Sequence, residues 1–284
     1  MEIIETVQEM QQRSEALRSA GQTISLVPTM GFLHEGHLEL MRVGKRHSDK
    51  LIISIFVNPA QFGPGEDLDQ YPRDKKGDLE KARDVGVNIV FMPSVGEMYQ
   101  EGYQTKIQVE NLPQHLCGLS RPGHFDGVTT VVAKLFNITK PHMAVFGQKD
   151  YQQLTVISRM VMDLSMDIKI LGVPTVREPD GLAMSSRNNY LGPEERRSAL
   201  SLRKSMDLAG ELFQGGEKKG KVIRDAVRSL ILSHPLTAID YIAICDPVTL
   251  DDAEVLGDKN LLALAVKVGK TRLIDNYLLQ NDSE

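Results

Sequence analysis

A chain of 284 residues with 33 Lys and Arg against 38 Asp and Glu has a formal net charge of −5, both signs being well mixed along it. That balance argues against a nucleic-acid-binding body, which shows a basic stripe, while the length allows one large core or two ordinary domains. Two cysteines, Cys117 and Cys245, lie far apart and match neither a CxxC nor a zinc spacing, so both read as reduced, buried thiols of a cytosolic protein.

The opening Met-Glu-Ile-Ile-Glu and the polar helix formers after it lack the basic and apolar regions of a signal peptide. No apolar run approaches the ~20 residues that a spanning helix needs. The expected setting is cytoplasmic, with no membrane and no nucleic-acid partner. Residues 5–20 are predicted helical, Val7, Met10, Ala16, Leu17 and Ala20 forming an apolar stripe that Gly21 ends. A buried strand at 24–27 follows, then a turn, then an amphipathic helix beginning with Leu38, Leu40 and Met41.

Residues 51–57, Leu-Ile-Ile-Ser-Ile-Phe-Val, form a nearly unbroken β-branched run that reads as a parallel strand buried on both faces, completing a right-handed βαβ unit. A charged helix near 74–85 and a third strand at 87–92 come next. The irregular stretch 94–123 holds one possible strand, 106–110; a loop this long in a compact domain is commonly functional or flexible. Beyond Asp126, Val128, Val131, Val132, Leu135 and Phe136 fall at i, i+3, i+4, i+7 and i+8 of a marked amphipathic helix. Strands at 141–146 and 168–173 flank a helix at 151–163. The Gly-, Pro- and Ser-rich segment after Val176 changes the period, placing a domain boundary there. Two helices (about 193–213 and 217–233) and three β-rich segments (238–245, 261–268, 272–278) then suggest a small α+β unit. The expected fold class is α/β: a parallel-sheet domain over 1–175 and a smaller α+β domain over 176–284.

The chemistry centres on Val27-Pro-Thr-Met-Gly-Phe-Leu-His34-Glu-Gly-His37. A strand-to-helix turn is an anion site, because the first N–H groups of the helix have no intrahelical partner and the helix dipole points the same way. Gly31 and Gly36 let backbone approach a ligand closely. His34 and His37, three apart, share one face and could both reach one polyphosphate. Read alone, the pair is more readily a capping turn with two solvated histidines. A metal reading is weaker, since no third ligand stands at a suggestive spacing. Asn58-Pro-Ala-Gln61 follows the second strand, where an open parallel sheet binds its ligands; two amides there can hold a hydroxyl or carboxylate without adding charge. Gly147-Gln148-Lys149-Asp150 follows a third strand end. An ordinary turn accounts for each cluster singly but not for three at one sheet edge. Met184-Ser185-Ser186-Arg187 adds two hydroxyls and a cation on a loop suited to meet charge that builds up on phosphates.

His-x-Gly-His after a buried strand resembles the HxGH signature of the nucleotidylyltransferase superfamily, and Met184 to Arg187 resembles its KMSKS-type partner loop. Pro28-Thr-Met-Gly31, Phe56-Val-Asn58-Pro-Ala-Gln61-Phe62, Tyr71-Pro-Arg73, Arg121-Pro-Gly-His-Phe125, Phe146-Gly-Gln-Lys149-Asp150-Tyr-Gln-Gln153-Leu, Met184-Ser-Ser-Arg-Asn188 and the ending Arg272-Leu-Ile-Asp275-Asn276 together resemble the pantoate–β-alanine ligase family. The resemblance implies a Rossmann-like nucleotide-binding domain, a C-terminal lid domain and a homodimer. It also implies condensation of pantoate with β-alanine, using ATP and Mg²⁺, through a pantoyl-adenylate.

On this resemblance Met30, Gly31, Phe32, Leu33, His34, Glu35, Gly36 and His37 line the ATP site, with His37 as proton donor and His34 beside it on the phosphates. Gly147, Gln148, Lys149, Asp150, Val176, Met184, Ser185, Ser186 and Arg187 complete that site, Lys149 and Arg187 offsetting charge as pyrophosphate leaves. Gln61 and Gln153 hold pantoate, Gln61 also faces β-alanine, and Asn58 supports the pocket. Two positions depart from the family pattern: Ala60 stands where many relatives have Met, and Gly77 precedes Asp78 where relatives often carry paired acids, so a two-carboxylate Mg²⁺ contact is in doubt and the metal ligands stay unassigned. A nucleotidylyltransferase making a dinucleotide or CDP-type product would keep HxGH without needing the amides. An aminoacyl-tRNA synthetase fragment would share both loops but needs a basic module. A nucleotide-binding regulator would not need His37, Lys149 and Arg187 together.

Overall fold

The computed structural model describes residues 1–281. Nine strands and nine helices run in the order β1 (Glu2–Ile4), α1 (Val7–Ser19), β2 (Ile24–Thr29), α2 (Glu35–Arg46), β3 (Lys50–Ile55), α3 (Lys75–Val85), β4 (Ile89–Phe91), α4 (Val95–Met98), α5 (Leu116–Ser120), α6 (His124–Thr139), β5 (Met143–Gly147), α7 (Tyr151–Asp163), β6 (Lys169–Val173), α8 (Pro193–Gln214), α9 (Gly220–Leu232), β7 (Thr237–Cys245), β8 (Lys259–Val268) and β9 (Thr271–Gln280) among the described residues. They form two compact units. The first comprises Met1–Pro113, Ser120–Gln148 and Gln153–Pro174; the second comprises Gln114–Leu119, Lys149–Gln152 and the chain from Thr175 on.

In the first unit six parallel strands are ordered β1-β4-β3-β2-β5-β6. The chain winds outward from β2 in one direction through β3 and β4, then in the other through β5 and β6. The β2/β5 pair is therefore the switch point, where helical crossovers diverge and leave a crevice at the carboxyl ends of the strands. Register explains the unbroken apolar runs. Val27, Ile53, Val90 and Val145 point to one face, against Met41 and Val43 of α2 and Ala82 of α3. Leu26, Ile52, Ile89 and Ala144, each at most 2 % exposed, point to the other.

The second unit packs α8 and α9 on an antiparallel sheet ordered β7-β8-β9. Ala199, Leu202, Met206, Ala209 and Phe213 make a helical stripe on α8 that meets Ile223, Val227 and Ile231 of α9 and Ile244, Leu262 and Leu264 of the sheet. Two short excursions, Gln114–Leu119 and Lys149–Gln152, belong to this unit. The buried Gln152 amide joins them, Nε2 donating to the His115 carbonyl at 2.7 Å and Oε1 accepting from the Cys117 N–H at 3.0 Å.

Three expectations change. Strand β1, too short to show a period, exists through long-range pairing of Glu2 with Ile89. Residues 106–110 form no strand. The Ile107 N–H donates to Thr130 Oγ1 at 3.0 Å and its carbonyl accepts from Thr129 Oγ1, so hydroxyls of α6 satisfy the backbone a sheet neighbour would have held. Cys245 is buried, whereas Cys117 is only half-buried, and the two form no disulfide. Among the described residues no helix is long and apolar enough to cross a membrane.

Candidate active site

The end of β2 is shaped from outside its own segment. Gly31 has φ +83°, and a Cβ there would lie 2.9 Å from Asp78 Oδ2 and 3.0 Å from Ile55 Cγ2, so only glycine fits. Phe32 also adopts a left-handed φ of 52°. What holds it is Asp78, in the first turn of α3 and 1 % exposed, whose two oxygens accept from the Phe32 N–H at 2.8 Å and the Leu33 N–H at 2.7 Å. Lys81, one turn further along α3, donates to the Leu33 carbonyl at 2.7 Å.

With the turn so fixed, His34 occupies the N-cap position of α2 in extended conformation, and His37 lies in the first turn. Their ring centroids lie 4.0 Å apart with the planes tilted by 32°. The His34 N–H donates to His37 Nδ1 at 3.3 Å. A backbone N–H can only donate, so neutral His37 carries its proton on Nε2. As at any helix N-terminus, the N–H groups of Glu35 and Gly36 have no intrahelical partner, an arrangement suited to an anion.

At the end of β3, Pro59–Gln61 forms a 3-10 turn capped by Asn58, which is 1 % exposed. Asn58 Nδ2 donates to Gln61 Oε1 and to the Gly127 carbonyl, both at 3.1 Å. Its Oδ1 accepts from Tyr99 Oη at 2.8 Å. Gln61 Nε2 in turn donates to Met30 Sδ at 3.3 Å, which joins the amide cluster to the histidine turn. Gly127 of α6 permits this arrangement, because a Cβ there would stand 2.3 Å from the Ala60 carbonyl oxygen. Burial is the main reason the Tyr99 phenol is pushed up to about 12; Tyr103 adds to the shift and the Asn58 bond opposes it. Lys134 sits 4.7 Å above the Tyr103 ring, and burial lowers its pKa.

The Gln61 backbone is held separately. His124 Nδ1 lies 2.8 Å from the Gln61 carbonyl and so bears a proton, while Arg121 reaches His124 Nε2 at 3.1 Å and grips Glu66 with Nε at 2.7 Å and Nη2 at 2.6 Å. That Arg121 bond lowers the Glu66 pKa against the opposing cost of burial. Gly147 and Gln148 close β5, and Gln153 lies half-buried on α7.

In the second unit, Lys149 is half-buried and Asp150 exposed. Residues 176–184 form a small hairpin: Met184 N–H donates to the Val176 carbonyl at 3.0 Å, Glu178 N–H to Leu182 at 2.8 Å, and Gly181 makes the tip at φ +91°. It delivers the chain to Ser185, whose hydroxyl accepts from the Arg187 N–H at 3.3 Å and caps the 3-10 helix Ser186–Tyr190. Asn188 Nδ2 anchors that helix to Glu178 at 2.6 Å and to the Ala183 carbonyl at 3.0 Å. The loop therefore has defined structure of its own.

In the first unit, then, Met30, Gly31, His34, His37, Asn58 and Gln61 come together through direct bonds or shared anchors. Lys149 and the 184–187 loop are organised within the second. In the sequence Asp78 stands out only as a doubtful Mg²⁺ contact beside Gly77, not as the clamp of the turn; Tyr99 is one phenol among many, and Arg121 and His124 stand out only within a family motif. Among the described residues no group of three or more His, Cys, Asp and Glu is placed to hold a metal ion.

The family model described as Pantoate-beta-alanine ligase matches residues 2–278. Pantothenate synthetases of Syntrophus aciditrophicus and Geobacter sulfurreducens are 56% and 55% identical to this chain over 278 and 279 residues, covering 98% of it in both cases and 97% and 99% of themselves. The crystal structure of pantothenate synthetase from Thermus thermophilus superposes with a TM-score of 0.94 at 42% identity, covering 99% of this chain and 100% of that one. A Francisella tularensis pantoate-beta-alanine ligase, complexed with beta-gamma ATP and beta-alanine, matches with a TM-score of 0.81 at 33% identity, over 98% of this chain and 97% of that one. With the histidine turn, the amide cluster and near-complete coverage in agreement, the chain belongs to the pantoate–β-alanine ligase family.

Proposed function

We infer that the turn ending β2 receives the phosphates of ATP and that the amide cluster ending β3 receives pantoate. The family's reaction condenses (R)-pantoate with β-alanine to pantothenate, with release of AMP and diphosphate through a pantoyl-adenylate. The observation that carries the residue assignment is the Gln61 Nε2 bond to Met30 Sδ at 3.3 Å. It puts a neutral, acid-binding amide beside the anion-binding turn, as attack of a carboxylate on an α-phosphate demands.

A carboxylate is a poor electrophile at neutral pH, and transfer of AMP to it supplies a leaving group. The first step forms a bond from the pantoate carboxylate to the α-phosphorus and breaks the bond to diphosphate. In the second, the β-alanine amine displaces AMP. His37, its Nε2 carrying a proton, donates to phosphate oxygens, with His34 alongside. Met30 to His37, Gly147, Gln148, Asp150, Val176, Met184, Ser185 and Ser186 contact the nucleotide. Lys149 and Arg187 meet the negative charge that develops as diphosphate leaves. Gln61 and Gln153 hold pantoate, Gln61 faces β-alanine, and Asn58 orients Gln61. Exclusion of water protects the mixed anhydride.

Asp78 is committed to the turn amides, and among the described residues no group of three or more His, Cys, Asp and Glu gathers around it to build a Mg²⁺ site. The ion fits as a companion of the nucleotide phosphates, retaining waters. The division near residue 176, a homodimeric state and cytoplasmic location belong to the same proposal. Pyrophosphate–ATP isotope exchange with pantoate present and β-alanine absent tests it: exchange strictly dependent on pantoate, and lost in His37→Ala that remains folded, is expected. Exchange indifferent to pantoate would overturn the substrate assignment, and undiminished exchange in His37→Ala would remove that residue from the chemistry.

A further inference from the structure

The motif Arg272-Leu-Ile-Asp275-Asn276 lies on β9 and has no part in the chemistry described so far. Its last two residues face opposite sides of the strand, as neighbours in a strand must. Asp275, whose side chain is 2% exposed, takes both arms of Arg177, Nη1 to Oδ2 at 2.7 Å and Nη2 to Oδ1 at 3.1 Å. Arg177 Nη1 also donates to the Gly181 carbonyl at 3.1 Å, so one guanidinium fastens both the base and the tip of the 176–184 hairpin. Asn276 reaches the other way, and its Nδ2 donates to the Lys149 carbonyl at 2.8 Å. Asp275 Oδ1 accepts from the Asn276 N–H at 2.9 Å, which ties the two anchors to each other.

Two adjacent residues thus hold the segments bearing Lys149 and Arg187 on one strand of the second unit. We propose that Asp275 and Asn276 are positioning residues for adenylate formation, Asp275 setting the placement of Arg187 through the hairpin and Asn276 setting that of Lys149 through its backbone. This rests on the charge-offsetting roles inferred above for those two cations. The hairpin's own backbone bonds do not involve Asp275, so loss of the carboxylate displaces the loop while leaving its internal form. A bidentate guanidinium–carboxylate pair fixes orientation as well as distance. A misplacement of about 1 Å in such a group costs on the order of 10²-fold in rate.

The test is pantoate-dependent pyrophosphate–ATP exchange by the full chain carrying Asp275→Asn or Asn276→Ala, alone and combined with Arg187→Ala or Lys149→Ala. Each single β9 variant is expected to lower kcat about 10- to 100-fold and to leave the pantoate KM within about twofold. Positioning predicts a pattern that general damage to the fold does not. Asp275→Asn adds no further loss once Arg187 is alanine but keeps its effect with Lys149→Ala, and Asn276→Ala shows the reverse. Losses that multiply in every background, or β9 variants with parental kcat, overturn the proposal. Parental exchange by Arg187→Ala and Lys149→Ala themselves would instead overturn the roles given to the cations. The half-buried Asn276 position supplies the measurement if Asp275→Asn does not accumulate in folded form.

Discussion

Replacing Asp78 with Asn keeps the side-chain volume beside Gly31 but removes the charge and turns one acceptor oxygen into an NH₂ donor. The carboxylate takes the Phe32 and Leu33 N–H groups at 2.8 and 2.7 Å in a site that is 1 % exposed. An amide has one oxygen, so one N–H keeps a partner and the other meets an NH₂ group, donor against donor. A hydrogen bond to a charged acceptor contributes about 1.5–3 kcal/mol. Losing one, with a buried N–H left unmet, should destabilise the local turn by about 3 kcal/mol. Since 1.4 kcal/mol is a factor of ten, turn opening should become about 10²-fold more frequent. Amide hydrogen exchange reads this locally: protection at Phe32 and Leu33 should fall about 100-fold, while the core of β3 stays protected and the KM for ATP rises. Unchanged protection at both amides would refute the clamp, and a uniform loss across the sheet would show that Asp78 supports the whole unit instead.

Tyr99→Phe removes the Asn58 Oδ1 partner at 2.8 Å; the lost bond, about 1 kcal/mol, should raise the KM for pantoate about fivefold without moving that for ATP, and equal shifts in both would defeat the argument. Gly127→Ala drives a Cβ to 2.3 Å from the Ala60 carbonyl oxygen. The backbone there must yield, so a loss of about 1–3 kcal/mol is expected in denaturant melts, and parental stability would contradict the close approach. Arg121 depresses the folded-state pKa of Glu66. Its contribution is therefore complete above the unfolded value of about 4.3 and disappears as pH falls through the folded value. The stability gap between parent and Glu66→Gln should be largest near neutrality and close in acid; a gap that does not vary with pH would count against the pair.

Much of this architecture could be read from local pattern because it is locally determined. The β-branched run at 51–57 and the helical stripe of Val128 to Phe136 announce themselves by composition and period, and the strand ends follow from them. What could not be read is what depends on partners distant in the chain. Residues 106–110 have strand-like composition, yet Thr129 and Thr130 claim both backbone groups of Ile107. Glu2 to Ile4 become a strand only because β4 lies beside them. His34, His37, Asn58 and Gln61 were legible as chemistry, since unusual residues stand at strand ends. Their supports were not legible as supports: Asp78 was marked only as a metal contact in question and Tyr99 not at all, because a helical acid and a loop phenol acquire this role only when the fold delivers them to the turn.

Asp78 stands 46 residues beyond Phe32 and 45 beyond Leu33. During synthesis the HxGH signature leaves the ribosome well before the carboxylate that shapes it, with all of β3 between them. A nascent chain ending after β3 contains every residue of the signature but lacks the clamp for its left-handed bend. The bent form of the turn is therefore gained only when α3 docks, and, on the nucleotide role proposed for it, ATP affinity should report on that docking step in a ribosome-stalled or truncated chain.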